Sequence, residues 1–182
     1  MSLLVLAEHD NAALKPATRN TVAAARKISE KAGDSEIHVL VMGHQAGSVA
    51  DAAARIEGVA KVILADAVEL GPQTAEVLSA QVLLQLQAEG YSHVMAPATT
   101  YGKNLLPRVA AKLDVQQISG ITDVLGPTTF VRPIYAGNAL APVESIAGAI
   151  IVLTVLSTGF DASPIIETSV PIEPAKELAK ET

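Results

Sequence analysis

Short apolar runs alternate with longer segments of helical periodicity along most of the sequence. The runs are rich in Val, Ile and Leu and predict buried strands. The segments between them place apolar residues at helical spacing and predict helices. Predicted strands lie at 3–7, 37–42, 62–65 and 93–96, and predicted helices at about 18–32, 48–56, 72–89 and 104–113. This alternation indicates a mostly parallel sheet with helices on both faces.

The pattern changes after Gly120. Further apolar runs follow with no helical segment between them, and they predict strands at 121–124, 129–135, 140–143 and 149–156. Gly137 and Asn138 predict a hairpin turn, and Pro133 places its strand at an edge or a bulge because it lacks a backbone donor. The predicted fold class is therefore α/β, of Rossmann-like or adenine nucleotide alpha hydrolase-like type, completed by antiparallel strands.

The segment from Asp161 onward has a different character. Pro164, Pro171 and Pro174 interrupt it, and a charged stretch follows. This composition predicts an extended strand or a linker that leaves the domain. We expect one α/β domain over residues 1–160, followed by an extended segment over 161–182 that leads toward a further domain.

Composition narrows the classes of function. The sequence has no cysteine, which excludes disulfides and thiolate chemistry. A net charge of -6 argues against a nucleic-acid or anionic membrane partner. No apolar run reaches the roughly 20 residues that span a bilayer, and no signal or transit peptide is evident. We expect a cytoplasmic protein without membrane insertion.

Signals for bound cofactors or metals are weak. The sequence contains neither a G-x-G-x-x-G fingerprint nor a Walker loop. His9 and His44 each follow a predicted strand, but two histidines near a sheet edge are more often loop residues than metal ligands. We therefore predict no catalytic, cofactor-binding or metal-ligating residue in this chain.

Two segments are candidates for a contact surface. The first segment is 101–108. Either Gly102 permits a strand-to-helix turn and Asn104 caps the helix, or Lys103 and Arg108 add positive charge near a helix N-terminus. In the second, Arg132 is either a solvated charge or an interface anchor, since Arg and Tyr are enriched at binding hot spots. The interface candidates are Tyr101, Lys103, Asn104, Arg108, Arg132, Tyr135 and Asn138.

Longer motifs carry a family resemblance. Ala7-Glu8-His9, GKNLLPRVAAKL at 102–113, ISGI at 118–121 and TFVRPIYAGNAL at 129–140 occur in this order. With these motifs the chain resembles the alpha subunit of electron transfer flavoprotein over about residues 3–160. The resemblance implies an N-terminal α/β scaffold domain that packs against a beta subunit. The C-terminal FAD-binding domain of the family has no counterpart here, so the resemblance implies FAD in the complete protein and none in this chain alone.

The resemblance also implies a role. In the complete heterodimer, electrons pass from flavin dehydrogenases, such as acyl-CoA dehydrogenases, through FAD to a quinone oxidoreductase. The chain would then be a component of an electron carrier rather than an enzyme, and redox-inactive as an isolated domain. Leu156 departs from the family, in which many relatives have arginine. An alternative from another class, favoured by the α/β pattern and the polar loop 8–11, is a stand-alone nucleotide-binding domain of universal-stress-protein type.

Overall fold

The computed structural model describes residues 1–180, in which ten strands and four α-helices follow one another. The strands are β1 (Ser2–Leu6), β2 (Glu36–Gly43), β3 (Lys61–Asp66), β4 (Tyr91–Pro97), β5 (Gln117–Ile121), β6 (Asp123–Val124), β7 (Thr129–Ile134), β8 (Ala139–Glu144), β9 (Ile151–Val155) and β10 (Ile172–Pro174). The helices are α1 (Ala17–Ala32), α2 (Gly47–Ala53), α3 (Ala75–Ala88) and α4 (Thr100–Leu113). None of these helices is long and apolar enough to cross a membrane.

Seven strands form one sheet in the order β10-β3-β2-β1-β4-β9-β5, and every neighbouring pair is parallel. β1 lies at the centre, and its apolar side chains alternate between two cores. Leu3 and Val5 pack with α1 and α2, whereas Leu4 and Leu6 pack with α3 and α4. A continuous apolar run is what a strand covered on both faces requires. The predicted α/β class with helices on both faces is confirmed.

The prediction for the last apolar run was wrong. We expected 149–156 to join an antiparallel addition, but β9 pairs in parallel with β4 on one side and β5 on the other. Its five residues are all buried, so β9 is an interior strand of the main sheet. Only β6, β7 and β8 are antiparallel, and they form a separate three-stranded sheet, called here the small sheet.

The hairpin between β7 and β8 lies where Gly137 and Asn138 predicted it. Tyr135, Ala136 and Gly137 all have φ between 52° and 88°, so the chain turns through left-handed backbone. Pro133 lies in the central strand β7, but Thr122 and β6 cover only the other end of that strand. The backbone nitrogen of Pro133 points to the same side of β7 as the backbone groups of Val131, which is the side of β6. Because β6 ends before it reaches Pro133, no hydrogen bond of the sheet is lost there, and proline is tolerated.

The helix α4 begins at Thr100 rather than at Asn104, so Asn104 does not cap it. Thr99 is the N-cap residue, and Asn104 lies inside the helix. Gly102 permits the early start because a Cβ atom there would lie 1.9 Å from the carbonyl oxygen of Pro97. Likewise α3 begins after Thr74, whose hydroxyl accepts a hydrogen bond from the Val77 N–H, rather than at Pro72.

The segment after Asp161 is extended and lies against the main sheet. Pro171 accepts a backbone hydrogen bond from Val62, and Ala175 donates one to Leu64, so β10 adds to the edge of β3. Further along, the side chain of Gln81 bonds the backbone of Ala179 at 2.8 Å. The backbone polar groups of an otherwise open sheet edge are thereby paired. A boundary at residue 160, and a further domain beyond this segment, stay predictions.

Candidate functional site

The carboxyl ends of β1 and β4 border a crevice of about 350 Å³. In this sheet the strand order reverses beside β1, because β2 follows on one side and β4 on the other. Open α/β sheets bind their ligands at such a switch point. The crevice is lined by polar and apolar side chains that include Glu8, His9, Lys15, Gln73, Tyr101 and Asn104.

Glu8 supplies the negative charge of the crevice. Its carboxylate oxygen accepts a hydrogen bond of 2.8 Å from the hydroxyl of Thr99, the N-cap residue of α4. Its backbone N–H is fixed by the hydroxyl of Thr18 at 3.0 Å. The helix N-terminus, which in dinucleotide-binding folds faces a pyrophosphate, therefore has a carboxylate of the protein itself beside it.

The first turn of α4 also lacks a glycine that faces the crevice. In a dinucleotide site, glycine lets the backbone approach the phosphates. Here Gly102 instead packs against the carbonyl of Pro97 in its own chain. Gly102 therefore does not provide the glycine cradle that a pyrophosphate requires at this helix N-terminus.

His9 is a structural histidine. Its Nε2–H donates to the Met42 carbonyl at 2.8 Å, and its Nδ1 accepts from the Asn11 N–H at 2.9 Å. The carbonyl can only accept and the amide can only donate, so the ring is neutral with its proton on Nε2. Burial lowers the pKa of His9, which agrees with this form. With both nitrogens occupied, His9 joins the loop after β1 to β2.

The loops after β2 and β3 are joined to this crevice by further hydrogen bonds. Asn11 accepts from the backbone N–H of His44 at 2.9 Å and donates to the carbonyl of Gly71 at 3.0 Å. Asp66 accepts from the backbone of Gln45 and Ala46. Within residues 1–180, no cluster of three or more His, Cys, Asp or Glu side chains has the arrangement of a metal site. These polar residues stabilise loops.

The candidates on α4 lie at and below the crevice. Tyr101 and Asn104 line it, and burial raises the pKa of the half-buried Tyr101. Lys103 is exposed on the opposite side of the first turn. Arg108 donates to the carboxylate of Glu76 on α3 at 3.2 Å, so its charge is paired within the chain. The N-terminal turn of α4 is therefore the accessible part of this group.

The candidates on the small sheet form a second group. Tyr135 is 77% exposed at the tip of the hairpin, and Asn138 closes the turn by donating its N–H to the carbonyl of Tyr135. Arg132 lies on the same face of β7 as Phe130, which is fully buried, so it points toward the body of the domain. The C-terminal end of α4 lies beneath it. The first turn of α4 and Arg132 thus lie toward opposite ends of α4, so the two groups do not form one patch.

Sequence reasoning missed the outer face of the small sheet. Cross-strand partners share a face, so Val131 with Pro142 and Pro133 with Leu140 point away from the domain. Leu140 is 67% exposed. Alternation of exposed and half-buried residues along β8 marks this face. The available signal was the set of apolar side chains at alternate positions 131, 133, 140 and 142.

His93 attaches the small sheet to β4. Its Nε2–H donates to the carbonyl of Pro127, just before β7, at 2.7 Å, and its Nδ1 accepts from the Ser92 hydroxyl at 2.7 Å. Its ring also meets the edge of Phe130, with the centroids 6.4 Å apart. Burial lowers the pKa of His93. Like His9, it is held in the neutral form.

The two buried histidines should make the domain less stable in mild acid. Their folded pKa values lie below 6.5, the value for the unfolded chain, so the unfolded state binds more protons in this window. Their contribution is complete above pH 6.5 and is lost as the pH falls toward the lowered values. We expect urea-unfolding free energy to fall below pH 6.5, and NMR titration of both rings to give midpoints below 6.5. Midpoints at or above 6.5 for both rings would contradict the structural assignment.

Comparison with known proteins places the fold and its motifs in a family. The sequence model described as "Electron transfer flavoprotein domain" matches residues 3–180, nearly the whole chain. The chain belongs to the electron transfer flavoprotein family. The resemblance to its alpha subunit is confirmed, because the curated relatives carry that name.

The relatives are found in bacteria and in eukaryotes. Over 89% of its length the chain is 56% identical to the electron transfer flavoprotein subunit alpha of Pseudomonas aeruginosa. It is 43% identical over 97% of its length to the mitochondrial subunit alpha of Dictyostelium discoideum, and 41% identical over 96% to the subunit alpha of Paracoccus denitrificans. These matches cover 50%, 50% and 56% of the relatives, so the chain spans about half their length.

Proposed function

We propose that this chain is the N-terminal scaffold domain of an electron transfer flavoprotein alpha subunit and that it docks a beta subunit. In this proposal the domain takes no part in redox chemistry by itself. It is a component of an electron carrier, and the FAD of the complete protein is held outside these residues. The expected cytoplasmic location belongs to the same proposal.

The observation that carries the proposal is the apolar outer face of the small sheet. Val131, Pro133, Leu140 and Pro142 form the apolar part of this face, next to the polar pair of Thr129 and Glu144. Nothing within residues 1–180 packs over the strongly exposed Leu140. Tyr135, which is 77% exposed at the tip of the hairpin, flanks it. Contiguous apolar surface of this kind marks a protein–protein contact in a water-soluble domain, and the aromatic side chain of Tyr135 at its rim fits a binding hot spot.

The edge of the small sheet adds a second mode of contact. β8 is the last strand, so its outer backbone groups have no neighbouring strand in the described chain. An open edge is a template for pairing unless something covers it. A beta subunit that covers the outer face would also be placed to satisfy this edge. The interface candidates at the hairpin, Tyr135 and Asn138, lie next to it, and those on the first turn of α4 form a separate candidate contact.

The crevice supports the same proposal because its charge disfavours phosphate ligands. The Glu8 carboxylate beside the N-terminus of α4 disfavours the phosphates that a universal-stress-protein type domain would bind, because like charges repel in a partly buried site. The relatives named above likewise give that alternative no support. Flavin dehydrogenases, such as acyl-CoA dehydrogenases, as electron donors and a quinone oxidoreductase as acceptor are proposed partners of the complete heterodimer.

Replacing Leu140 by aspartate should abolish co-purification with a tagged beta subunit from the same organism. The substitution places a charge on an exposed apolar residue of the outer face, where it would have to be desolvated on docking. We expect an affinity loss of about 100-fold or more, measured by co-purification and by titration of the purified chains.

Val68→Asp is the matched control. Val68 is 69% exposed, as Leu140 is 67% exposed, but it lies between β3 and α3. It should leave the affinity unchanged. Docking that survives Leu140→Asp, or that is lost equally in both variants, would remove the outer face from the interface.

A further inference from the structure

A second cleft of about 620 Å³ opens beneath the small sheet, away from the crevice. It lies between the C-terminal end of α4, the start of β5, and β7 and β8. This volume falls within the range of small-molecule sites. Its apolar walls are Val115, Ile118, Val143, Ile146 and Ile150.

Arg132 enters this cleft from the inner face of β7. Its cross-strand partner is Ala141, and the neighbouring pair is Ile134 with Ala139. The two alanines on β8 are small and leave space beside the guanidinium. Among the residues described, no carboxylate comes within 4.0 Å of Arg132, and its buried Nε–H has no hydrogen-bond acceptor.

Ser145 provides a second unsatisfied group in the same cleft. Its hydroxyl oxygen is buried and has no hydrogen-bond partner within residues 1–180. Buried polar atoms are nearly always paired, because a lone one loses its water without replacement. Here the Nε–H of Arg132 and the hydroxyl of Ser145 both lack a hydrogen-bond partner within residues 1–180, and both residues line one cavity with apolar walls. Such a pair of groups is what a polar ligand head would satisfy.

The charge of the cleft selects the kind of head group. The planar guanidinium pairs with carboxylates and phosphates through parallel hydrogen bonds. Asp114 also lines the cleft and adds negative charge. Its charge opposes a dianionic phosphate more strongly than a singly charged carboxylate.

We propose that this cleft binds a monocarboxylate with a short aliphatic chain. The carboxylate pairs with Arg132 and accepts a hydrogen bond from the Ser145 hydroxyl, and the chain lies against Val115, Ile118 and Ile150. The site is distinct from the outer face of the small sheet and requires no beta subunit, so it goes beyond the proposed function.

Titration calorimetry and methyl NMR on the 182-residue chain, with hexanoate as the probe, test the proposal. We expect saturable binding with shifts confined to residues of the cleft. Hexanol and hexyl phosphate should each bind at least about tenfold more weakly than hexanoate. Hexanol lacks the negative charge, and hexyl phosphate carries a second one. Absence of hexanoate saturation up to about 10 mM, or equal binding of hexanol, would overturn the proposal.

Variants separate the cleft from general effects on the fold. Arg132→Gln should weaken hexanoate at least about tenfold, and Ser145→Ala, which removes only the hydroxyl, about threefold. Lys112→Gln, on the exposed side of α4, and Leu140→Asp, on the outer face, should leave hexanoate binding unchanged. Undiminished binding in both Arg132→Gln and Ser145→Ala would refute the assignment. Loss in Leu140→Asp would move the site to the outer face.

Discussion

Gly102→Ala should destabilise the domain by about 3 kcal/mol or more, and at 37 °C we expect little folded protein. The added Cβ would lie 1.9 Å from the carbonyl oxygen of Pro97 and 3.4 Å from the Cβ of Ala96. The oxygen belongs to the backbone at the end of β4, a central strand, so the clash can be relieved only by moving α4 away from the sheet. Equilibrium unfolding in urea measures the effect.

Gly47→Ala is the control for that experiment. Gly47 is the first residue of α2, and a Cβ there would meet no atom within 4 Å. Alanine should therefore be neutral or stabilise the domain by up to about 1 kcal/mol, the ordinary gain of helix propensity. Similar unfolding midpoints for the two variants would show that α4 does not begin where the structure places it.

The second large effect is expected at Phe130. Phe130→Ala should cost about 3–5 kcal/mol, because it removes a large, fully buried side chain and leaves a cavity. Phe130 and Val124 of β6 join the small sheet to the core that α1 and α2 cover. Phe130 also contacts the ring of His93, so the anchor of the Pro127 loop would lose part of its packing.

Leu140→Ala is the matched control on the same small sheet. Its side chain is 67% exposed on the outer face, so the loss of unfolding free energy should be within about 0.5 kcal/mol. A large cost at Leu140 and a small one at Phe130 would mean that the inner and outer faces of β7 and β8 are exchanged. That result would also displace Arg132 from its cleft.

Hydrophobic periodicity was sufficient to locate the strands at the start of the main sheet, but it was insufficient to assign the partners of β9. β1 and β2 were located because continuous apolar runs fit only strands covered on both faces. β9 has the same kind of run, yet its place between β4 and β5 depends on contacts distant in sequence. A local pattern shows that a strand is buried but not which strands it pairs with. Because no helix precedes β9, the sequence favoured antiparallel pairing with the strands before it, which was wrong.

The start of α4 shows a different limit. Asn104 has the chemistry of a cap, but Thr99 holds that position. The deciding factor is the close approach of Gly102 to Pro97, which is a tertiary contact. The inward direction of Arg132 was predictable only relative to Val131, since alternation gives opposite faces without saying which face is covered. The cleft and its unpaired polar atoms depend on packing among α4, β5 and β8, which no local pattern contains.

We propose that these residues form a docking scaffold whose crevice holds no flavin. The direct measurement is an FAD titration of the purified 182-residue chain, followed by flavin fluorescence and by gel filtration to separate bound from free FAD. FAD fluorescence should stay unchanged, and all flavin should elute apart from the protein. Stoichiometric FAD that travels with this chain alone would contradict this proposal.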